Sequence, residues 1–513
     1  MITTKFQLAL LVSSAICFAG TAYAQDPAAP AQDEAPASDN DADTVVKTEA
    51  PASNEDLASR AAFLEAQVTA LQEQLNDIKA QLTKATPTWK GAPQWDDKDA
   101  GFSFKPKGFV QFDAGYVSTP GPDRSGTFGA VSAIGLSGLN YNNLGWNTRA
   151  RRLVFGAEGT MPGGFGYKFE LNLAQATVDY EDIILTYQKS GSPLQVTIGN
   201  FYPLSSLDTM TSSRLTSFLE RASFTDAFNY NRRLGLAVAL LDPADQYTLT
   251  GGVWSQEINN TSFNRTGWQA SLRGTYSPTV GDARLHLGVN FQHRVQQRDA
   301  QNVQYRSRPF TQITDQRFVD TARIAADGDD ILGLEFGAIY KSLHVAAEAQ
   351  QVWVRGWQPG KTFGANNGAG GGLFYSDDPS FQSAYFEVGY YLTGETRGYK
   401  GGKWDRTKVL HPFDQGGWGA VQLNARLDWL DLNDRLGGTT LLAPDYINGG
   451  KQLGYEFSVI WNPMDYVRFM AQYAHGSFTG GPYAAIVDPN STEPVNQRNY
   501  GVDTFAMRAQ LEF

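Results

Sequence analysis

Cysteine is the scarcest residue in this 513-residue chain: Cys17 is the only one, and it falls within an N-terminal stretch that reads as a leader. Without a second cysteine there is no disulfide, and past the leader there is no thiolate for catalysis or metal binding. Long apolar runs are missing too, since nothing after the leader approaches the ~20 residues that a membrane helix requires. Histidine is sparse. His286, His293, His344, His411 and His475 are scattered without paired spacing, which does not suit a metal site. No nucleophile elbow, phosphate-binding loop or dinucleotide fingerprint occurs, and Gly135-Leu136-Ser137-Gly138 lacks the second half of a hydrolase motif. The sequence therefore indicates neither an enzyme nor a cofactor, and no nucleic-acid partner.

What is present is ordered along the chain. Residues 1–24 read as a signal peptide: Lys5 gives the positive start, residues 8–18 the apolar core, and Ala22-Tyr23-Ala24 a small-x-small cleavage site. A lipid-anchor cleavage before Cys17 would need a small residue where Ile16 stands. Residues 25–56 are rich in Ala, Pro, Asp and Glu, a composition that cannot bury a core and predicts a disordered acidic spacer. Most of the chain's net charge of −11 sits there, so that charge says little about the remainder. In the next segment, 57–84, Leu57, Ala61, Leu64, Val68, Leu71, Leu75, Ile78 and Leu82 form a heptad seam. This predicts a short coiled coil, with a trimer compatible because Leu occupies both seam positions; a lone amphipathic helix is the alternative. Pro87, Gly91, Pro93 and Pro106 mark 85–107 as a linker.

From about residue 108 to 513 the apolar and polar residues alternate with period two. Val110, Phe112, Ala114 and Tyr116 share a face, as do Leu285, Leu287, Val289 and Phe291, and at the chain end Phe505, Met507, Leu511 and Phe513. Polar residues such as Lys168, Glu170, His286 and Glu456 fall on the opposite parity. An apolar exterior around a polar interior, behind a leader and without membrane helices, predicts an all-β fold: an antiparallel transmembrane β-barrel of about 16 strands, preceded by the helix. Short turns such as Met161-Pro162-Gly163-Gly164 and Asn462-Pro463-Met464-Asp465 alternate with long connections at 118–148, 201–231, 295–330, 355–380, 431–451 and 476–500. Residues 394–417 break the rule, being long where a short turn is due.

Arginine outnumbers lysine by 26 to 16. Strand parity places Arg152, Lys168, Arg233, Arg273, Arg284, Arg294, Arg426, Arg468 and Arg508 in the lumen, matched by nine carboxylates that include Glu170, Glu348, Glu456 and Glu512. Such a wall is either a set of cross-barrel ion pairs or a ladder that conducts anions. The long segment 201–231, with Arg214 and Arg221, has the length of a loop that folds into the lumen as a constriction; an ordinary outer loop is the other reading.

Arg151-Arg152-Leu153-Val154-Phe155-Gly156, Tyr167-Lys168-Phe169-Glu170-Leu171, Ile198-Gly199-Asn200-Phe201, Phe218-Leu219-Glu220-Arg221, Arg232-Arg233-Leu234-Gly235 and Tyr305-Arg306-Ser307-Arg308-Pro309 resemble the phosphate-selective porins O and P. So does Leu392-Thr393-Gly394-Glu395 with Arg397 and Tyr399. The resemblance implies a homotrimeric 16-stranded outer-membrane porin whose third outer loop narrows an arginine- and lysine-lined pore. It also implies a lysine cluster at the constriction, whereas 201–231 holds no lysine. The expected function is passive diffusion of small anionic solutes such as phosphate, without a cofactor, across the outer membrane of a Gram-negative bacterium. The helix would lie in the periplasm, outer-membrane lipid would surround the barrel, and the terminal Phe would be read by the barrel assembly machinery. The alternatives are a general porin, or a structural or adhesive barrel tethered by the coiled coil.

Overall fold

The structure, a computed structural model, describes residues 54–85, 87–89, 91–97, 99–120, 144–259, 266–297, 301–356, 372–436, 445–487 and 491–513. The leader 1–24 and the spacer as far as residue 53 lie outside them, as do the middles of the connections read at 118–148, 355–380 and 431–451.

Helix α1, Asn54–Ala85, is built from Leu, Ala, Gln, Glu and Lys, and Pro87 follows two residues beyond its end. Its seam residues Leu64, Val68, Leu71, Leu75 and Ile78 are each at least half exposed.

Sixteen strands follow: β1 Phe102–Val117, β2 Gly145–Met161, β3 Phe165–Asn172, β4 Asp179–Tyr187, β5 Leu194–Phe201, β6 Arg233–Leu241, β7 Tyr247–Ser255 and β8 Trp268–Tyr276. The second half comprises β9 Ala283–Val295, β10 Gly328–Tyr340, β11 Leu343–Arg355, β12 Ser380–Tyr391, β13 Ala420–Arg435, β14 Tyr446–Met464, β15 Val467–Thr479 and β16 Asn499–Glu512. Each pairs antiparallel with the next, and β16 pairs back onto β1 with Leu511 opposite Val110, so the sheet has no edge. At the seam the backbones of Gly108 and Phe513 exchange two hydrogen bonds of 3.0 Å. A Cβ on Gly108 would sit 2.5 Å from the Phe513 ring, which also packs 5.8 Å from Phe155.

The alternation sorts as the sequence predicts. Phe505, Met507 and Leu511 are exposed to the lipid side while Thr504, Ala506, Arg508, Gln510 and Glu512 are buried. One end carries tight turns, as at Gly163 and Gly164, whose φ of +84° and +90° favour glycine. Two boundaries differ from the alternation. β1 starts at Phe102 because Pro106 lies beyond the end of β16, where a missing N–H costs no ladder bond, and Trp95 pairs opposite Phe104 to extend the ladder. β13 and β14 run on through residues that look like loop, with a register shift near Asp431 and Asn433.

Inside, the lumen is not uniformly polar. Three connections fold inward: residues 202–232 after β5, 301–327 after β9, and 392–419 after β12, the last a turn-side segment with a small hairpin pairing Tyr399 with Trp404. Their Leu219, Phe224, Phe228, Tyr305, Phe318 and Trp404 join inward-facing Ile331, Val352, Phe381, Leu430, Ile460 and Phe478 in one apolar cluster. That cluster fills the β10–β15 side and leaves the open space against β2–β6.

A candidate solute pathway along one wall of the barrel

The pathway begins at an irregularity in β2. Gln111 pairs with Arg152, but Phe112 pairs with Ala150, so Arg151 is bulged out of the ladder and two successive arginines reach the lumen. Arg151 forks onto Glu220 at 2.8 and 2.9 Å. Burial alone would raise the Glu220 carboxyl, yet Arg151 and Arg508 hold it well below the usual carboxylate range. Arg152 has no carboxylate at salt-bridge distance among the described residues.

Glu220 belongs to the segment 202–232, which carries the short helices α2, Leu207–Met210, and α3, Ser223–Phe228. The barrel wall fastens it by its backbone. Glu348 accepts the amides of Leu207 and Asp208, each at 2.8 Å, and Asp428 accepts the Ser223 amide at 2.8 Å. Gln472 accepts the Leu219 amide at 2.8 Å. On the carbonyl side Arg508 donates to Leu219, Arg426 to Glu220, Arg468 to Arg214 and Thr216, and Arg294 to Phe228. Buried charges thus meet otherwise unpaired amides and carbonyls, which is why this stretch holds one position inside the barrel.

Of the eleven basic residues read from parity and from the loop, seven hold carboxylates. Lys168 sits 2.8 Å from Glu170 and 2.6 Å from Asp182, Arg214 3.2 Å from Glu512, Arg273 2.6 Å from Glu335 and Arg284 2.8 Å from Asp245. Arg294 pairs with Asp329, Arg426 with Glu456 at 2.7 Å and Arg508 with Asp113 at 2.7 Å. Arg221 and Arg468 donate to backbone carbonyls, those of Asp208 and Thr211 in the case of Arg221. Among the described residues Arg152 and Arg233 do neither, and the Arg233 guanidinium lies 3.7 Å over the Tyr230 ring.

Three cavities run down this wall. One of about 880 Å³ is lined from β2 to β6 and by the segment after β9; a second of about 110 Å³ lies beside Arg221 and Phe310; a third of about 290 Å³ lies on the turn side, between Lys168, Arg214 and Lys403. Arg152 and Tyr202 line all three, and Arg232 and Glu181 line both larger ones. The largest carries eight arginines, five carboxylates and no lysine.

Several of these residues escaped the sequence reading. Arg151 is hidden by a bulge that parity cannot show, Arg232 precedes its strand by one residue, and Lys403 arrives on the turn-side hairpin. Arg306 and Arg308 stood in a quoted motif but were not assigned to the lumen. Arg308 holds Asp226 at 3.1 Å and Asp315 at 3.1 Å; Arg306 has no carboxylate partner among the described residues.

Comparison with known proteins matches residues 133–491 to the model of a family described as phosphate-selective porin O and P. The chain belongs to this family. An uncharacterized protein of Caulobacter vibrioides is 34% identical over 439 residues, covering 83% of this chain and 77% of that one. Among solved structures, the outer membrane channel DcaP of Acinetobacter baumannii is similar at 13% identity, with a TM-score of 0.45 over 81% of this chain and 98% of that one. An anion-selective porin from Comamonas acidovorans gives 11%, 0.43, 80% and 100%. By its membership of that family the chain is an outer-membrane porin. Relative to the pattern its family resemblance implies, the lysines that line the turn-side cavity, Lys168 and Lys403, come from β3 and the turn-side hairpin and not from the segment 202–232.

Proposed function

We propose that this porin passes small anions, phosphate among them, along the β2–β6 wall. The observation that carries the reading is a set of cations outside ion pairs: among the described residues Arg152, Arg233, Arg306 and Lys403 face the cavities with no carboxylate at salt-bridge distance, against Asp179 and Asp405 as acids with no cation that close. Arginines bound into ion pairs or onto carbonyls stiffen the wall, whereas an unpaired guanidinium in a water-filled passage attracts anions and releases them because each contact is weak. The pairing pattern therefore combines both sequence readings: most lumenal arginines support the wall, and a few serve the solute.

The half-exposed seam of α1 supports a homotrimer in which three copies cover it, with the helix on the periplasmic side where short turns of such barrels lie. The function is tested by adding millimolar phosphate to chloride-conducting channels of the full chain in planar bilayers. Phosphate should reduce the chloride current as it occupies the same cations; current unaffected by phosphate would remove phosphate from the solute class.

A further inference from the structure

We propose that Tyr202 sets the size limit of this pore, and that bulky polyvalent organic anions halted there are held in the 880 Å³ chamber. This rests on the porin reading. The large loop-side chamber and the 290 Å³ turn-side chamber differ threefold in volume, and both are bounded by Tyr202 with Arg152, Glu181 and Arg232. A solute leaving one chamber for the other passes these four side chains.

Three of the four are charged; Tyr202 is the one aromatic plate among them. Its backbone is fixed on both sides. Phe201, the last residue of β5, packs edge-on against Trp254 at 5.3 Å, and Pro203, buried, restricts the preceding residue to extended conformations. The ring itself lies under the Arg232 guanidinium at 4.3 Å, with that of Arg221 at 5.8 Å. Neither cation is free to swing: Arg232 is bound to Glu181 and Asp182, and Arg221 to the Asp208 carbonyl at 2.9 Å and the Thr211 carbonyl at 2.5 Å. Tyr202 is thus a clamped plate, not a mobile gate.

The chamber above it is far larger than an inorganic anion requires, since one water-sized solute fills only ~30 Å³. Two of its guanidinium groups, Arg233 backed by Tyr230 and the exposed Arg306, lie outside ion pairs among the described residues and present planar donor forks. Such forks suit sulfonate and carboxylate groups carried on a ring.

The test uses the full chain in planar bilayers, with naphthalene-1,3,6-trisulfonate added to one side of a chloride current. The parent should be blocked from the loop side at roughly tenfold lower concentration than from the turn side, and the probe should not carry current. Tyr202→Ala should let the probe permeate and weaken its block at least tenfold, while Tyr202→Phe, which keeps the plate, should behave as the parent. Should Tyr202→Ala fail to insert, Tyr202→Leu is read in the same way. A Tyr202→Ala or Tyr202→Leu channel that keeps the parent's block and still excludes the probe overturns the proposal. A parent that prefers cations refutes the arginine reading instead, and the size limit is then read with tetraalkylammonium ions of graded size, where an unchanged cutoff in Tyr202→Ala again overturns it.

Discussion

Replacing Arg152 by Gln removes one charge from the point common to all three cavities without breaking any ion pair, so its effect isolates the solute pathway from the wall. A permeating anion about 5 Å from the guanidinium, at an effective dielectric near 20, interacts with it by about 3 kcal/mol. The passage is wet and Arg152 is partly exposed, and at 0.15 M salt charges are screened over about 8 Å, so roughly half of that survives. About 1.4 kcal/mol at the controlling barrier is a factor of ten in rate. The chloride-to-potassium permeability ratio, measured from reversal potentials in planar bilayers, should therefore fall about tenfold in Arg152→Gln. Arg284→Gln is the control, since Arg284 is held 2.8 Å from Asp245 and lines none of the three cavities; its ratio should stay within about twofold of the parent. An unchanged ratio in Arg152→Gln would refute the reasoning and return Arg152 to the structural wall.

Three further outcomes follow from other contacts. Phe513→Asp places a charge against Gly108 and Phe155 at the closing seam, so the variant should reach the outer membrane at much lower abundance, as measured by fractionation and immunoblotting; parental abundance would count against it. Glu348→Ala leaves the buried amides of Leu207 and Asp208 without their acceptor, at about 1–3 kcal/mol each, and should raise open-channel current noise as the segment loosens; a current as quiet as the parent's would show that the remaining anchors suffice. Leu71→Asp together with Leu75→Asp should turn a peptide of residues 54–85 from associated to monomeric by analytical ultracentrifugation, and a parent peptide that is already monomeric at high concentration would favour the lone helix.

The barrel was legible because period-two alternation is written into each strand, and the closing pair of Leu511 with Val110 follows from where alternation begins and stops. Helix α1 was legible from its heptads. The lumen was legible by parity for single residues such as Lys168 and Arg508, but parity does not reveal which partner each will find. Glu220 meets Arg151 and Arg508 only because 202–232 folds inward, a tertiary event with no local periodicity. The bulge at Arg151 removes a residue from the count without any mark in the sequence. Residues 394–417, long where the alternating pattern calls for a short turn, enter the lumen, which the pattern by itself did not indicate. Ile331, Val352, Phe381 and Phe478 face inward as apolar residues, against the polar interior that the alternation predicts, because the inward-folded segments pack over them.

The central claim is that a minority of unpaired lumenal cations makes this porin anion-selective. Its most direct test is the zero-current potential of the purified full chain in a planar bilayer under a tenfold potassium chloride gradient, where ideal selectivity gives about 59 mV. The account predicts a potential displaced toward the chloride equilibrium value; a potential displaced toward potassium, or none at all, would contradict it.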